Sequence, residues 1–189
     1  MSVENSYFSV EWTKLEEIPE GISMSSFLWE AVDEEPWLCR FPFGPQIDEY
    51  AFTSTRAHMI FSDWFRDIRG TMDHRLVGEF SSLFMDFGIL YDDSYDCVPI
   101  AELPDAIVAA VNVEDWLVGS IPPERVIDLL SRAKKIDLVH VKEEFQRALD
   151  QVACDVLEDG GQVVDWMLSL TAGLEEVVAA KRGVIMGMA

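Results

Sequence analysis

The chain of 189 residues contains 35 acidic residues against 14 lysines and arginines, which gives a formal net charge of -21 at pH 7. This charge argues against nucleic acid as a direct ligand, because phosphate binding depends on lysine and arginine side chains that displace counterions. It argues against an anionic membrane surface for the same reason. The composition is that of a globular protein, with 49% hydrophobic residues, so we expect one domain over residues 1–189.

The amino-terminal part predicts a small sheet. Residues 7–12 alternate, with Phe8, Val10 and Trp12 on one face, which is typical of a half-buried strand. Residues 13–16 have capping-box spacing and predict a short turn, and a short helix is predicted over 25–32. Two extended segments are expected over 37–43 and 50–53, interrupted by proline and glycine.

The residues after 54 predict a helical part. Apolar residues recur at three- and four-residue steps from Ala57 to Ile68, and Thr71 is the predicted cap of the next helix. The segment 113–119 between two predicted helices has no clear pattern. The expected fold class is α+β and predominantly helical, with a strand-containing part over 1–54, a helical part over 55–189 and about six helices. The first helix predicted after Thr55 ends before Gly70. The other predicted helices cover residues 72–87, 104–112, 122–135, 138–158 and 162–181.

The three cysteines Cys39, Cys97 and Cys154 are too widely spaced for a zinc knuckle and odd in number, which favours a reducing compartment. The amino terminus lacks a basic start followed by an apolar stretch, and the longest apolar run, 106–111, is far below the roughly 20 residues of a membrane helix. We therefore expect a cytoplasmic protein that does not insert into a membrane. Glycine-rich nucleotide-binding motifs are absent from the sequence, and we expect no cofactor.

The stretch FMDFGILYDDSYDCVP, residues 84–99, interleaves aspartates with aromatic residues. A calcium-binding EF-hand loop starting at Asp92 fails, because Cys97 stands where glycine is needed and Leu103 where a bidentate glutamate belongs. A looser magnesium or hydrolytic metal site remains a hypothesis, with His58 or His74 brought close by helix packing.

Two other interpretations of this stretch remain open. Asp92 and Asp93 are typical of a solvated turn, because aspartate side chains readily bond to local backbone groups. Alternatively, carboxylates beside Tyr91 and Tyr95 form a contact surface, since charge pairing and aromatic anchors are common in interfaces.

A second acidic group closes the first predicted helix in the stretch WEAVDEEPW, residues 29–37. Negative charge at a helix carboxyl end opposes the helix dipole, so local stability does not require acids there. This favours a role in binding or solubility. The alternative is a solvated helix exit with Trp29 and Trp37 in the core.

The leading hypothesis is a binding protein that neutralises or regulates a basic protein partner, such as a toxin or a nucleic-acid-binding protein. Its most concrete form is an immunity protein that inhibits a toxin, possibly a nuclease, because an acidic surface steers association with a basic groove. The alternatives are a DNA mimic that occupies a DNA-binding protein and a metal-dependent hydrolase that uses the cluster from Asp86 to Asp96. We expect no enzyme activity and no catalytic or metal-binding residues. The predicted partner contacts are Asp86, Tyr91, Asp92, Asp93, Tyr95, Asp96, Glu30, Asp33, Glu34 and Glu35.

Overall fold

A computed structural model describes residues 4–17, 24–44, 52–91 and 117–188. These residues form a predominantly helical α+β fold, which confirms the predicted fold class. The elements in chain order are β1 (Asn5–Val10), a 3₁₀ helix (Trp12–Glu17), α1 (Met24–Ala31), β2 (Leu38–Arg40), α2 (Thr55–Ile68), a 3₁₀ turn (Arg69–Thr71), α3 (His74–Asp86), β3 (Leu117–Ile121), α4 (Pro123–Ala133), α5 (Leu138–Leu149), α6 (Gly160–Ala179) and β4 (Gly183–Met188).

The predicted sheet is present and has four antiparallel strands in the order β2-β1-β4-β3. Phe8 of β1 lies between Arg40 of β2 and Ile185 of β4. The patterns over residues 7–12 and 37–43 predicted β1 and β2. The other two strands follow residue 54 and were not predicted, and β3 covers part of the segment without a clear pattern.

The alternation of β1 places its side chains in two separate cores. Tyr7 joins the main core formed with the helices. Phe8 and Val10 join a smaller cluster with Leu28 of α1, and Trp12 packs against it, as the predicted strand face requires. The sheet therefore separates the helical body from α1 and the first 3₁₀ helix.

Closely packed aromatic rings form the centre of the main core. The ring centroids of Phe65 in α2 and Phe80 in α3 lie 5.6 Å apart, so these two helices contact each other through their aromatic side chains. Phe145 of α5 contacts Phe80 at 4.9 Å. Burial of such side chains contributes about 1.5–3 kcal/mol each, so this group dominates the stability of the helical part.

The single long helix predicted over 138–158 is wrong. α5 ends at Leu149, and the chain turns so that Cys154 and Leu157 are buried. The carbonyl of Val152, which leaves the helix, accepts a hydrogen bond from Trp64 Nε1 at 2.8 Å. The chain therefore leaves the helix although the apolar pattern continues, because the turn buries the later apolar residues against the core.

The helix predicted over 162–181 begins earlier than expected, at a pair of glycines. Gly160 is the first residue of α6, and the side chain of Asp159 caps the helix. A Cβ at position 160 would lie 2.8 Å from the backbone nitrogen of Gln146. Glycine is needed here because the start of α6 lies directly against α5.

Two further local predictions need correction. The cap of α3 is Asp73, whose side chain accepts from Leu76 N at 2.9 Å, while Thr71 donates to a carbonyl of the preceding helix. Phe52 and Thr53, expected in an extended segment, are helical. The predicted helix over 104–112 lies outside the described residues. None of the helices in the described ranges is long and apolar enough to cross a bilayer.

Candidate functional site

The best-defined candidate surface is the acidic turn, which we define as Glu30, Asp33, Glu34 and Glu35. The turn forms because the backbone amides of Glu34 and Glu35 both donate to the carbonyl of Ala31, at 3.0 and 2.8 Å, and so close the end of α1. All four acidic side chains are exposed. The helix exit thus presents carboxylates outward as the sequence predicted.

The acidic turn is poorly neutralised by the protein itself. All fourteen lysines and arginines of the chain fall within the described residues. Within those residues, Glu30, Asp33 and Glu34 have no ion-pair partner. Glu35 accepts a hydrogen bond from Trp37 Nε1 at 2.9 Å. The turn therefore keeps most of its negative charge available to another molecule.

Lys14 interacts electrostatically with several acids near the acidic turn. Its ammonium pairs with Glu17 at 2.9 Å. The pKa of Lys14 is raised, first by its hydrogen bond to Glu17 and then by the charges of Glu17, Glu11 and Glu35. One cation is thus shared among acids from the first 3₁₀ helix and from the acidic turn.

Two tryptophans border the acidic turn. The expectation that both lie in the core is wrong for Trp29, which is 37% exposed. The guanidinium of Arg40 lies 5.1 Å from the centre of the Trp29 ring. Trp37 is half-buried and packs against the smaller core cluster. An amphipathic aromatic beside carboxylates is the composition favoured at protein interfaces.

A cavity of about 240 Å³ opens next to Trp29. Its walls include Glu4 and Ser6 from the start of β1, Arg40 from β2, and Thr53. The cavity therefore offers an acidic, a basic and an aromatic group to an inserted side chain. It adds a recess beside Trp29, which borders the acidic turn.

Asp86 has a different environment from the acidic turn. Its carboxylate accepts a hydrogen bond from Arg132 Nη1 at 2.6 Å, and Arg125 lies 3.8 Å away. Arg132 also donates to Ser82 Oγ at 2.7 Å. These contacts join α3 to α4, so the charge of Asp86 is engaged within the fold. Its contact with a partner stays a prediction.

Tyr91 is held by polar contacts inside the protein. Its hydroxyl accepts from Asn5 Nδ2 at 3.0 Å, and its backbone amide donates to Ser62 Oγ at 3.0 Å. The residue is half-buried. The remaining predicted contacts of this stretch, Asp92, Asp93, Tyr95 and Asp96, lie outside the described residues.

The residues that the structure describes contain no group of three histidine, cysteine, aspartate or glutamate side chains arranged to hold a metal ion. His58, which the metal-site hypothesis brings close to the acidic cluster, is 1% exposed. Its Nδ1 lies 2.7 Å from Asn5 Nδ2, and its Nε2 bonds to the carbonyl of Phe52. With both ring nitrogens engaged, His58 has no lone pair left for a metal. His74 is exposed at the start of α3.

Sequence reasoning missed the contacts that join Asn5, His58 and Tyr91. In the sequence, Asn5 is 53 residues away from His58 and 86 residues away from Tyr91. No local periodicity signals such a pairing.

Comparison of the chain with protein-family models, with curated proteins and with solved structures gives no match.

Proposed function

We propose that this chain is an acidic binding protein that neutralises a basic protein partner. Its most concrete form is a cytoplasmic immunity protein that inhibits a toxin, such as a nuclease. The observation that carries the proposal is the exposed acidic turn, in which Glu30, Asp33 and Glu34 have no basic partner within the described residues. These carboxylates are free to pair with lysines and arginines of another protein.

The electrostatics of the turn suit rapid association. A basic groove and an acidic surface attract each other before contact, which raises association rates to as much as about 10⁸–10⁹ M⁻¹s⁻¹ at low salt. Such steering weakens as salt shortens the Debye length to about 8 Å at physiological ionic strength. We therefore expect binding of the partner to depend strongly on salt.

Slow dissociation needs buried contacts in addition to charge. Trp29, 37% exposed, and the neighbouring cavity supply an aromatic surface and a recess beside the acidic turn. Tryptophan is enriched among residues that contribute most to binding. The arrangement favours an inhibitor with one acidic patch over a DNA mimic, whose carboxylates need to follow the phosphate repeat over an elongated surface.

The proposal is tested with two variants of equal net charge. The first reverses the turn with Asp33→Lys, Glu34→Lys and Glu35→Lys. The second, a control, carries Glu143→Lys, Asp155→Lys and Glu158→Lys, which are exposed acids in and after α5. The partner is purified with the wild-type chain from its native host, identified by mass spectrometry, and titrated calorimetrically at low and high salt.

We expect a basic partner whose toxic activity the chain inhibits. Three exposed ion pairs contribute about 0.2–1 kcal/mol each, so the turn variant should weaken binding about 3- to 100-fold, while the control variant changes it less than the turn variant does. An acidic partner, salt-independent binding or an equal loss in the control contradicts the proposal. Asp92→Lys with Asp93→Lys tests the second predicted contact separately.

A further inference from the structure

A buried polar network joins three separate parts of the chain. The side chain of Asn5, at the start of β1, is 2% exposed. Its Nδ2 lies 2.7 Å from His58 Nδ1 and 3.0 Å from the hydroxyl of Tyr91. Its Oδ1 accepts from Thr55 Oγ1 at 3.0 Å. One amide therefore holds together the first residue of β1, the first turns of α2, and Tyr91, which lies beyond the end of α3.

A backbone bridge reinforces one side of this network. Glu4 forms an antiparallel bridge with Ser54. Ser54 in turn caps α2, because its hydroxyl accepts from Ala57 N at 3.3 Å. The start of β1 and the start of α2 are consequently fixed to each other by both backbone and side-chain bonds.

The hydrogen bonds define the protonation state of His58. The carbonyl of Phe52 can only accept, so Nε2 of His58 carries the hydrogen. Nδ1 therefore has a lone pair and accepts from Asn5 Nδ2. The orientation of the Asn5 amide is consistent, because its Oδ1 accepts from Thr55. A proton on Nδ1 would place two donors against each other.

Among the described residues, the groups that face His58 offer no counter-charge. These are Asn5 from β1, the carbonyl of Phe52 before α2, and the phenol of Tyr91 beyond the end of α3, whose ring centre is 6.4 Å away. Burial lowers the pKa of His58 from 6.5 to about 4, and the Phe52 carbonyl opposes that shift in part. No carboxylate of the described residues contributes to this pKa.

We propose that His58 is an acid-sensitive latch, in which protonation of Nδ1 breaks the bond to Asn5 and releases the starts of β1 and α2 and Tyr91 from one another. The release is local because Asn5 pairs with Met188 at the end of the β1–β4 ladder, so the interior of the sheet stays paired. The latch does not depend on the proposed function. In the sequence, Tyr91 directly precedes Asp92 and Asp93, so the latch fixes the residue from which that predicted contact begins.

The direction of the pH effect follows from the lowered pKa. The open state takes up a proton near pH 6.5, whereas the latched state resists it until about pH 4. The stabilisation is therefore complete above pH 6.5 and is lost as the pH falls toward 4. Between pH 7 and pH 5, linkage raises the opening equilibrium constant about 20-fold.

Hydrogen exchange with mass spectrometry at pH 7 and pH 5, corrected for intrinsic rates, tests the latch. His58→Gln is the informative variant, because a glutamine amide donates to Phe52 and accepts from Asn5 without titrating. His74→Gln, at an exposed position, is the control. We expect opening over residues 4–6 and 54–62 to rise about 20-fold in the wild type and the control and less than 3-fold in His58→Gln. Residues 123–133 should not respond.

An equal acid response in His58→Gln and in the wild type overturns the proposal, as does an increase spread evenly over α4 and α6. If His58→Gln does not fold, titration of the histidine ring signals of the wild type by NMR replaces it. A His58 midpoint near pH 4 together with opening confined to the latch supports the proposal. A midpoint at or above pH 6 overturns it.

Discussion

The amino-terminal part and the helical part of the molecule use their charges differently. The described residues 4–17 and 24–44 contain eight acids and two bases, whereas residues 52–91 and 117–188 together contain 17 acids and 12 bases. In the helical part, acids pair across elements, as in Asp86 with Arg132 at 2.6 Å and Glu175 with Lys134 at 2.6 Å. Within the described residues, the excess of acids per residue is therefore highest in the amino-terminal part, which carries the acidic turn.

The two parts also differ in what stabilises them. The helical part has a large aromatic core, while α1 and the first 3₁₀ helix rest on a small cluster around Phe8, Leu15 and Leu28. The amino-terminal part therefore depends on its connection to the helical part through the sheet and through residues 41–44, which follow β2 and which we call the β2 exit. An acidic surface supported by a small core needs a firm attachment.

The largest effect should come from breaking that attachment at Gly173. A Cβ at this position of α6 would collide with the ring of Phe41 and lie 2.6 Å from the carbonyl of Pro42. Such overpacking costs typically about 1–3 kcal/mol, and because backbone is involved we expect Gly173→Ala to lose about 3 kcal/mol. Urea unfolding followed by tryptophan fluorescence measures this loss.

Gly78→Ala is the matched control for that substitution. Gly78 lies in α3, and a Cβ there meets nothing within 4 Å. Because alanine favours the helix, we expect a gain of about 0.5–1 kcal/mol. A loss below about 1 kcal/mol in Gly173→Ala would show that the β2 exit can move away from α6 without consequence.

An intermediate effect should come from the charge that the helical part uses internally. The side chain of Asp86 is 30% exposed and that of its partner Arg132 is 28% exposed. Removing one partner leaves a partly buried charge without compensation, so we expect Asp86→Asn to lose about 1 kcal/mol. A double-mutant cycle with Arg132→Gln measures the coupling.

Glu143→Gln serves as the reference for this comparison. Glu143 is exposed on α5, and substitutions at such surface positions usually change stability by less than about 0.5 kcal/mol. If Asp86→Asn is equally neutral, Asp86 is free to act in binding. A coupling close to zero would support the same conclusion.

The sequence predicted best where one element has one buried face. The apolar period from Ala57 to Ile68 predicted α2, since the helix is buried along a single side. The strand β4 escaped prediction because both its faces are buried. Val184 and Met186 belong to the main core and Ile185 to the smaller cluster, so the segment shows no alternation of apolar and polar residues.

The candidate site was predictable to the extent that it is local. Glu34 and Glu35 lie in a polar exit from a short helix, and the pattern of that segment was enough to predict their exposure. The neutralisation of Asp86 was not predictable, because Arg132 is 46 residues away in the sequence. The local sequence around an aspartate does not indicate whether its carboxylate faces solvent or a distant guanidinium.

The smallest effect, with the opposite sign, should come from neutralising the acidic turn. Asp33 and Glu34 follow the carboxyl end of α1, where negative charge opposes the helix dipole. We expect Asp33→Asn with Glu34→Gln to raise the free energy of unfolding by about 0.3–1 kcal/mol at low salt. The gain should shrink in 0.5 M sodium chloride because salt screens exposed charges. If the pair of substitutions instead destabilises the protein, the turn contributes to the fold, and its carboxylates are not held in reserve for a partner.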